Sequence, residues 1–68
     1  KQAELGQRIR QAIGQLSADH QQAILLREVE GLSYEEIAQA MQCSVGTIMS
    51  RLFYARKKLQ EILHDLRP

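Results

Sequence analysis

Apolar residues recur at intervals of three and four positions along most of this chain, which is the period of an amphipathic α-helix. Four such stretches follow one another, separated by short polar segments. The first is predicted to run from about Gln2 to Leu16, although Gly6 and Gly14 weaken it. Its apolar series is Leu5, Ile9, Ala12, Ile13 and Leu16.

Capping residues indicate where the next two helices begin. Ser17 is the expected N-cap of the second helix, and Gly31 suits a left-handed residue just beyond its end. Ser33, followed three residues later by Glu36, has the spacing of a capping box and predicts the start of the third helix. The buried face of the second helix is expected to contain Ala23, Ile24, Leu26 and Val29.

The third and fourth helices are separated by about three residues, as in a helix-turn-helix motif. Ser44 is the expected N-cap of the fourth helix, and Ala38 is small where the two helices approach. Ile37 and Ile48, with Met41, can close a core shared by both helices. The sequence therefore predicts an all-α, four-helix domain containing a helix-turn-helix.

The turn contains one unusual residue. Gln42 occupies a position where many such turns have Gly, which adopts a left-handed conformation more easily. Cys43, the next residue, is expected to pack between the two helices as a small apolar group.

The fourth helix is predicted to be long, with one apolar stripe and an opposite face that does not contribute to the core. The stripe consists of Val45, Ile48, Leu52, Ala55, Leu59, Ile62 and Leu66. Because successive helical residues turn by about 100°, the opposite face carries Gly46, Ser50, Phe53, Tyr54 and Lys57. Met49 and Arg56 fall on one flank of this face, and Thr47, Arg51 and Lys58 on the other.

Phe53 and Tyr54 are therefore expected to be exposed, beside hydroxyl and basic groups. Such a face suits a recognition helix in the DNA major groove, where Ser can bond base edges and an aromatic edge can contact a thymine methyl. Gly46 would let the helix N-terminus approach a phosphate closely, and the flanking cations would meet the backbones. The alternatives are that both rings pack on the first or second helix, and that the basic run is simply solvated.

Composition narrows the class of protein. The 68 residues suffice for one small domain, which we expect to be part of a longer protein because Lys1 opens directly into helix-like sequence without an initiator Met. Residues 1–44 hold four basic and six acidic side chains, whereas residues 45–68 hold five and two, so positive charge is concentrated late in the chain. No long apolar run predicts a membrane segment.

An enzyme is not expected. His20 and His64 are far apart in sequence, and Cys43 has no evident base or metal partner. A single cysteine cannot form an internal disulfide, which fits a reducing cytoplasm. We therefore expect no cofactor and no metal.

The segment "LLREVEGLSYEEIAQAMQCSVGTIMSRLFYARKKL" closely resembles the fourth region of bacterial sigma factors of the extracytoplasmic-function group. The resemblance covers about Leu16 to Leu63, and the combination of "LREVEGLSYEEIA" with "VGT", "SRL" and "ARKKL" at these spacings is specific. It implies a domain that binds the minus-35 promoter element, contacts the β flap of core RNA polymerase and is often bound by an anti-sigma factor. It further implies DNA contacts by Arg27, Tyr34, Gly46, Thr47, Ser50, Arg51 and Phe53.

Three positions depart from the family pattern. Relatives commonly carry Arg where this chain has Met49 and Tyr54, and Pro where it has Ser44. Arg can bond guanine bidentately, whereas Met cannot and Tyr offers one hydroxyl. We therefore predict an altered minus-35 preference or weaker binding by the isolated domain. These three residues and Lys57 complete the predicted DNA-binding set.

Two other classes of protein share some of these features. The helix-turn-helix output domain of a response regulator or quorum-sensing activator would dimerise through its last helix, whereas a sigma region is expected to be monomeric as an isolated domain. A protein-interaction module would use the apolar and basic surface to dock a partner helix. The "VGT", "SRL" and "AR" spacing favours the sigma interpretation over both.

Overall fold

Four α-helices followed by a short 3-10 helix make up the computed structural model, which describes residues 2–66 and the side chains of residues 6–64. None of the described residues forms a β-strand, so the predicted all-α class is confirmed. The elements are α1 Gln2–Gly14, α2 Ala18–Glu28, α3 Tyr34–Met41, α4 Val45–Ile62 and the 3-10 helix Leu63–Leu66.

All three predicted serine caps are present. Ser17 Oγ accepts a bond from the backbone N–H of His20 at 3.4 Å, at the start of α2. Ser33 Oγ accepts from Glu36 N at 3.1 Å, while the Glu36 carboxylate accepts from Ser33 N at 2.8 Å, which completes the capping box of α3. Ser44 caps α4 in the same way, so each boundary is set by a local hydrogen bond.

The core lies where α4 crosses α2 and α3. Ile37 and Ile48 are fully buried, as predicted for the helix-turn-helix, and Met41 packs against them while half-buried. Close packing of α3 on α4 depends on the small, buried Ala38. The core cluster consists of Leu16, Ala23, Ile24, Ile37, Ala38, Ile48, Leu52 and Ala55.

Helix ends account for most of the differences from the sequence prediction. α1 stops at Gly14 instead of Leu16, because Gln15 and Leu16 donate to carbonyls three residues earlier and tighten the chain into a turn. Val29, predicted to be buried, is 70% exposed because it is the C-cap of α2, where the chain leaves the helix. Gly31 has a φ of +73°, the left-handed conformation expected there. The predicted apolar residues Leu5 and Leu66 lie outside the described side chains.

The turn between α3 and α4 is closed by a left-handed Gln42, with φ 57° and ψ 50°. Its N–H bonds to the Gln39 carbonyl at 3.3 Å, and the Cys43 N–H bonds to the Ala38 carbonyl at 3.0 Å. This pair of bonds is the Schellman motif, in which Gly is the usual left-handed residue. Cys43 is half-buried against the core, as expected for a small packing group.

Replacing Gln42 with Gly is expected to raise the free energy of unfolding by about 0.5–1 kcal/mol. The left-handed conformation costs an L-residue about 1–2 kcal/mol, whereas the extra entropy that Gly loses on folding costs about 0.5–1 kcal/mol. Urea denaturation followed by circular dichroism measures the change. Gln39→Gly, within α3, is the matched control and should lower stability by about 1 kcal/mol. Equal losses in both variants would contradict the left-handed assignment.

Candidate nucleic-acid interface

One side of α4 is turned entirely away from the core. We call Gly46, Met49, Ser50, Phe53, Tyr54 and Lys57 the outer face of α4, since all six are exposed. Its three large hydrophobic side chains keep more than half of their surface in solvent: 54% for Met49, 60% for Phe53 and 55% for Tyr54. The predicted exposure of both aromatic rings is confirmed, and the alternative that they pack on α1 or α2 is wrong.

Phe53 and Tyr54 support each other instead of packing into the core. Their ring centroids are 5.1 Å apart and their planes meet at 84°. This is an edge-to-face arrangement, which aromatic pairs favour. The pair therefore forms an apolar ridge along the outer face, next to the exposed Met49.

A shallow cleft of about 490 Å³ runs beside this ridge and brings α3 to the outer face. Tyr34, the first residue of α3, lines it together with Met49, Phe53 and Lys57, so four predicted site residues from two helices meet. Two longer polar side chains complete the lining: Arg56 and Gln60.

Arg27 lies behind this cleft and holds Tyr34. Its guanidinium donates to the Leu32 carbonyl at 2.8 Å and sits 5.0 Å from the centroid of the Tyr34 ring, within the range of a cation–π interaction. Arg27 is half-buried, so part of it supports the Tyr34 ring while part remains accessible.

The two arginines of α4 on its flanks are both bound to acidic residues of α2. Arg51 lies 3.5 Å from the Asp19 carboxylate and also donates to Cys43 Sγ at 3.9 Å, which leaves its side chain 23% exposed. Arg56 pairs with Glu28 at 3.2 Å. Interactions with the Tyr34 hydroxyl and with Glu28 raise the pKa of Arg56, because both favour the charged guanidinium.

At the N-terminus of α4, the Ser44 and Thr47 hydroxyls bond to each other at 3.0 Å, and Ser44 Oγ also accepts from Thr47 N. The first turn contains no acidic residue, so the positive end of the helix dipole is not neutralised within it. A Cβ atom at Gly46 would meet only Ser44 Oγ, at 3.8 Å. The packing of the domain therefore does not require Gly at this position.

Lys57 and Lys58 are exposed, and neither forms an ion pair with another described residue. Within that same part of the chain, no three His, Cys, Asp or Glu side chains are grouped as metal ligands would be. The described helices also include none that is long and apolar enough to cross a bilayer.

The family model described as sigma-70, region 4 matches residues 6–59 of this chain. The chain belongs to this family. It is 49% identical over 63 residues to the RNA polymerase sigma-H factor of Pseudomonas aeruginosa, which covers 93% of the chain and 33% of that relative. It is 45% identical over 64 residues to the ECF RNA polymerase sigma-E factor of Haemophilus influenzae, covering 94% of the chain and 34% of the relative. The corresponding Escherichia coli factor is 48% identical over 63 residues, covering 93% and 33%.

This region 4 domain thus spans about a third of the length of the curated relatives it matches. Family membership disfavours the response-regulator alternative. The spacing of α4 predicted that Gly46, Ser50, Phe53, Tyr54 and Lys57 share the outer face and placed Met49 on its flank, but it did not predict the binding of Arg51 and Arg56 to α2. Arg56 and Glu28 are 28 positions apart, so no local sequence pattern indicates that they form an ion pair. The only available signal was that α2 contains acidic residues, Asp19 and Glu28, that an arginine could bind.

Proposed function

We propose that this domain is the part of a sigma factor that recognises the minus-35 promoter element, with α4 inserted in the major groove. The observation that carries the proposal is the division of α4 into two faces. Ile48, Leu52 and Ala55 are buried on one side, while the outer face is exposed and presents hydroxyl, aromatic and basic groups. The relatives named as RNA polymerase sigma factors support the same role.

Different residues along α4 would contact different parts of the DNA. The 18-residue helix is about 27 Å long, which is enough to cross a major groove about 12 Å wide. Ser50 would bond a base edge, Phe53 and Tyr54 would contact bases, and Lys57 would bind a phosphate. The free amides near Gly46, with the Ser44 and Thr47 hydroxyls, would receive a phosphate at the helix N-terminus.

Two predicted contact residues have an additional role in this proposal. Arg27 would orient the Tyr34 ring from behind while its accessible part contacts the DNA backbone. Arg51 would fix α4 on α2 through Asp19, with its remaining exposed surface available to a phosphate. Both act in the proposed complex from positions already fixed in the free domain.

We further propose that the outer side of α2 contacts the polymerase core, at the β flap. Leu25, Leu26 and Val29 line a groove there together with polar side chains. This groove shares no residue with the outer face of α4, so polymerase and promoter could be bound simultaneously. RNA polymerase is proposed as the partner because the relatives are named as RNA polymerase sigma factors. The exposed Val29 would provide an apolar contact with it.

Affinity for a labelled duplex of mixed sequence is expected to fall steeply with salt. Neutralising about four phosphates gives a slope of log K against log salt near −3.6, and Lys57→Gln should reduce its magnitude by about 0.9. Fluorescence anisotropy at several salt concentrations measures both slopes. Arg10→Gln removes the same charge from an exposed site on α1 and should leave the slope near the unsubstituted value. A salt-independent interaction would exclude DNA as the ligand and favour a protein-docking module.

A further inference from the structure

The centre of the outer face lacks the side chains that usually read guanine or adenine in the major groove. Met49, Ser50, Phe53 and Tyr54 are all uncharged and exposed. The two α4 arginines that could reach a base instead lie at the flanks, held by Asp19 at 3.5 Å and Glu28 at 3.2 Å, respectively. The direct readout available to these four central residues is therefore apolar contact and single hydroxyl bonds, and Lys57, nearer the C-terminal end of the face, is proposed to bind a phosphate.

The chemistry of the groove identifies the base that fits such a surface. Guanine presents two acceptors that favour a two-donor side chain, and adenine favours the amide of Asn or Gln. Ser and Tyr hydroxyls can each make only one such donation. The C5-methyl of thymine is the apolar feature of the major groove, and an apolar side chain contacts it without needing a donor.

We propose that the cleft lined by Tyr34, Met49 and Phe53 recognises a thymine methyl group, so that the interface prefers thymine at the base pair that this cleft meets. Met49 and Phe53 are four positions apart and line the same cleft, with the Tyr34 ring contributed by α3. Tyr54, packed edge-to-face on Phe53, holds that ring in place. The proposal rests on the proposed function, since it specifies the base that the same interface prefers.

Charge complementarity supports nucleic acid as the occupant of this apolar cleft. Lys57, which forms no ion pair with another described residue, lines it together with the apolar side chains, whereas the charge of Arg56 is balanced by Glu28 at 3.2 Å. A cation beside the cleft suits a strand whose phosphates flank a base methyl. Acidic groups do not line the cleft among the residues that the structure describes.

The test begins by selecting preferred duplexes from a randomised library with the 68-residue chain. Each thymine of the selected site is then replaced singly by deoxyuridine, which removes only the methyl group. At one or two positions the affinity is expected to fall about fourfold. This factor corresponds to the free energy gained by burying one methyl-sized group. Met49→Ala should abolish this sensitivity, since the methyl loses its contact. Gln39→Ala, at an exposed position of α3 that does not line the cleft, should retain it.

The outcomes separate this inference from the function on which it rests. Sequence-selective binding with no uracil effect at any position, or with an uracil effect that persists in Met49→Ala, would overturn the thymine assignment while leaving promoter recognition intact. Selection of guanine at the position that contacts Met49 would overturn it as well. Binding without any sequence preference would instead reject the proposed function, and this inference with it.

Discussion

Replacing Ile48 with Ala is expected to lower the free energy of unfolding by about 2–5 kcal/mol. Ile48 is completely buried and belongs to the core cluster shared by α2, α3 and α4. Truncation would remove apolar contacts and leave a cavity where three helices meet. A domain of 68 residues has a total stability of about 3–10 kcal/mol. The variant should therefore be close to unfolding at room temperature, as measured by urea denaturation with circular dichroism.

The adjacent residue provides the matched control. Met49 is on the same helix but is 54% exposed, so Met49→Ala should change the free energy of unfolding by less than about 0.5 kcal/mol. Both substitutions leave Ala in the same turn of α4, so helix propensity changes little between them. Similar losses in both variants would show that α4 is rotated differently and would remove the basis for the outer face.

Local signals explain why most of the fold could be predicted from the sequence. The N-cap of α2, α3 and α4 in each case is a serine hydroxyl bonded to an N–H three residues later. The helix starts could therefore be predicted from the positions of Ser17, Ser33 and Ser44 in the sequence. The rotation of α4 followed from the spacing of its apolar residues, which determined that Phe53 and Tyr54 would be exposed.

The sequence could not determine features that depend on where the chain goes after a helix ends. Val29 continues the apolar spacing of α2, but it is exposed because the helix stops at Glu28 and the chain turns towards Gly31. The spacing of apolar residues indicates that a helix is present, but it does not show at which residue the helix ends. Gln42 differs from Val29 in this respect, because the helix-turn-helix spacing already marked it as the left-handed position of the turn, although that conformation opposes the preference of its own side chain.

For the candidate site, the spacing within α4 predicted every member of the outer face except Met49, which it placed on a flank, but it did not predict the residues of other helices beside that face. The proximity of Tyr34 to Met49 and Phe53 depends on how α3 packs on α4, a tertiary relation that spacing within one helix does not contain. Likewise, Arg51 and Arg56 were expected to be available cations, yet α2 supplies an acid to each. The pairings hold both guanidinium groups at the flanks, while the centre of the outer face is uncharged because its own side chains, Met49, Ser50, Phe53 and Tyr54, carry no charge.

Replacing Gly46 with Asp is expected to stabilise the folded domain and to abolish most of its affinity for DNA. Gly46 is in the first turn of α4, where a carboxylate interacts favourably with the helix dipole and a non-Gly residue gains helix propensity. The added side chain has room, since its Cβ would meet only Ser44 Oγ at 3.8 Å. Urea denaturation should therefore show a gain of about 0.5–1 kcal/mol.

The same carboxylate would occupy the place proposed for a phosphate and would repel the duplex. Like-charge contacts at an interface cost several kcal/mol, so affinity should fall about 100-fold in an anisotropy titration at constant salt. Gln22→Glu changes the net charge equally on the exposed surface of α2 and should weaken binding by less than about threefold, because distant charges are screened.

Gly46→Ala separates the effect of side-chain volume from the effect of charge, since it adds a methyl group only. Opposite signs for stability and affinity in Gly46→Asp would show that Gly at this position serves the DNA complex, whereas equal binding losses in Gly46→Asp and Gln22→Glu would contradict a contact at the N-terminus of α4.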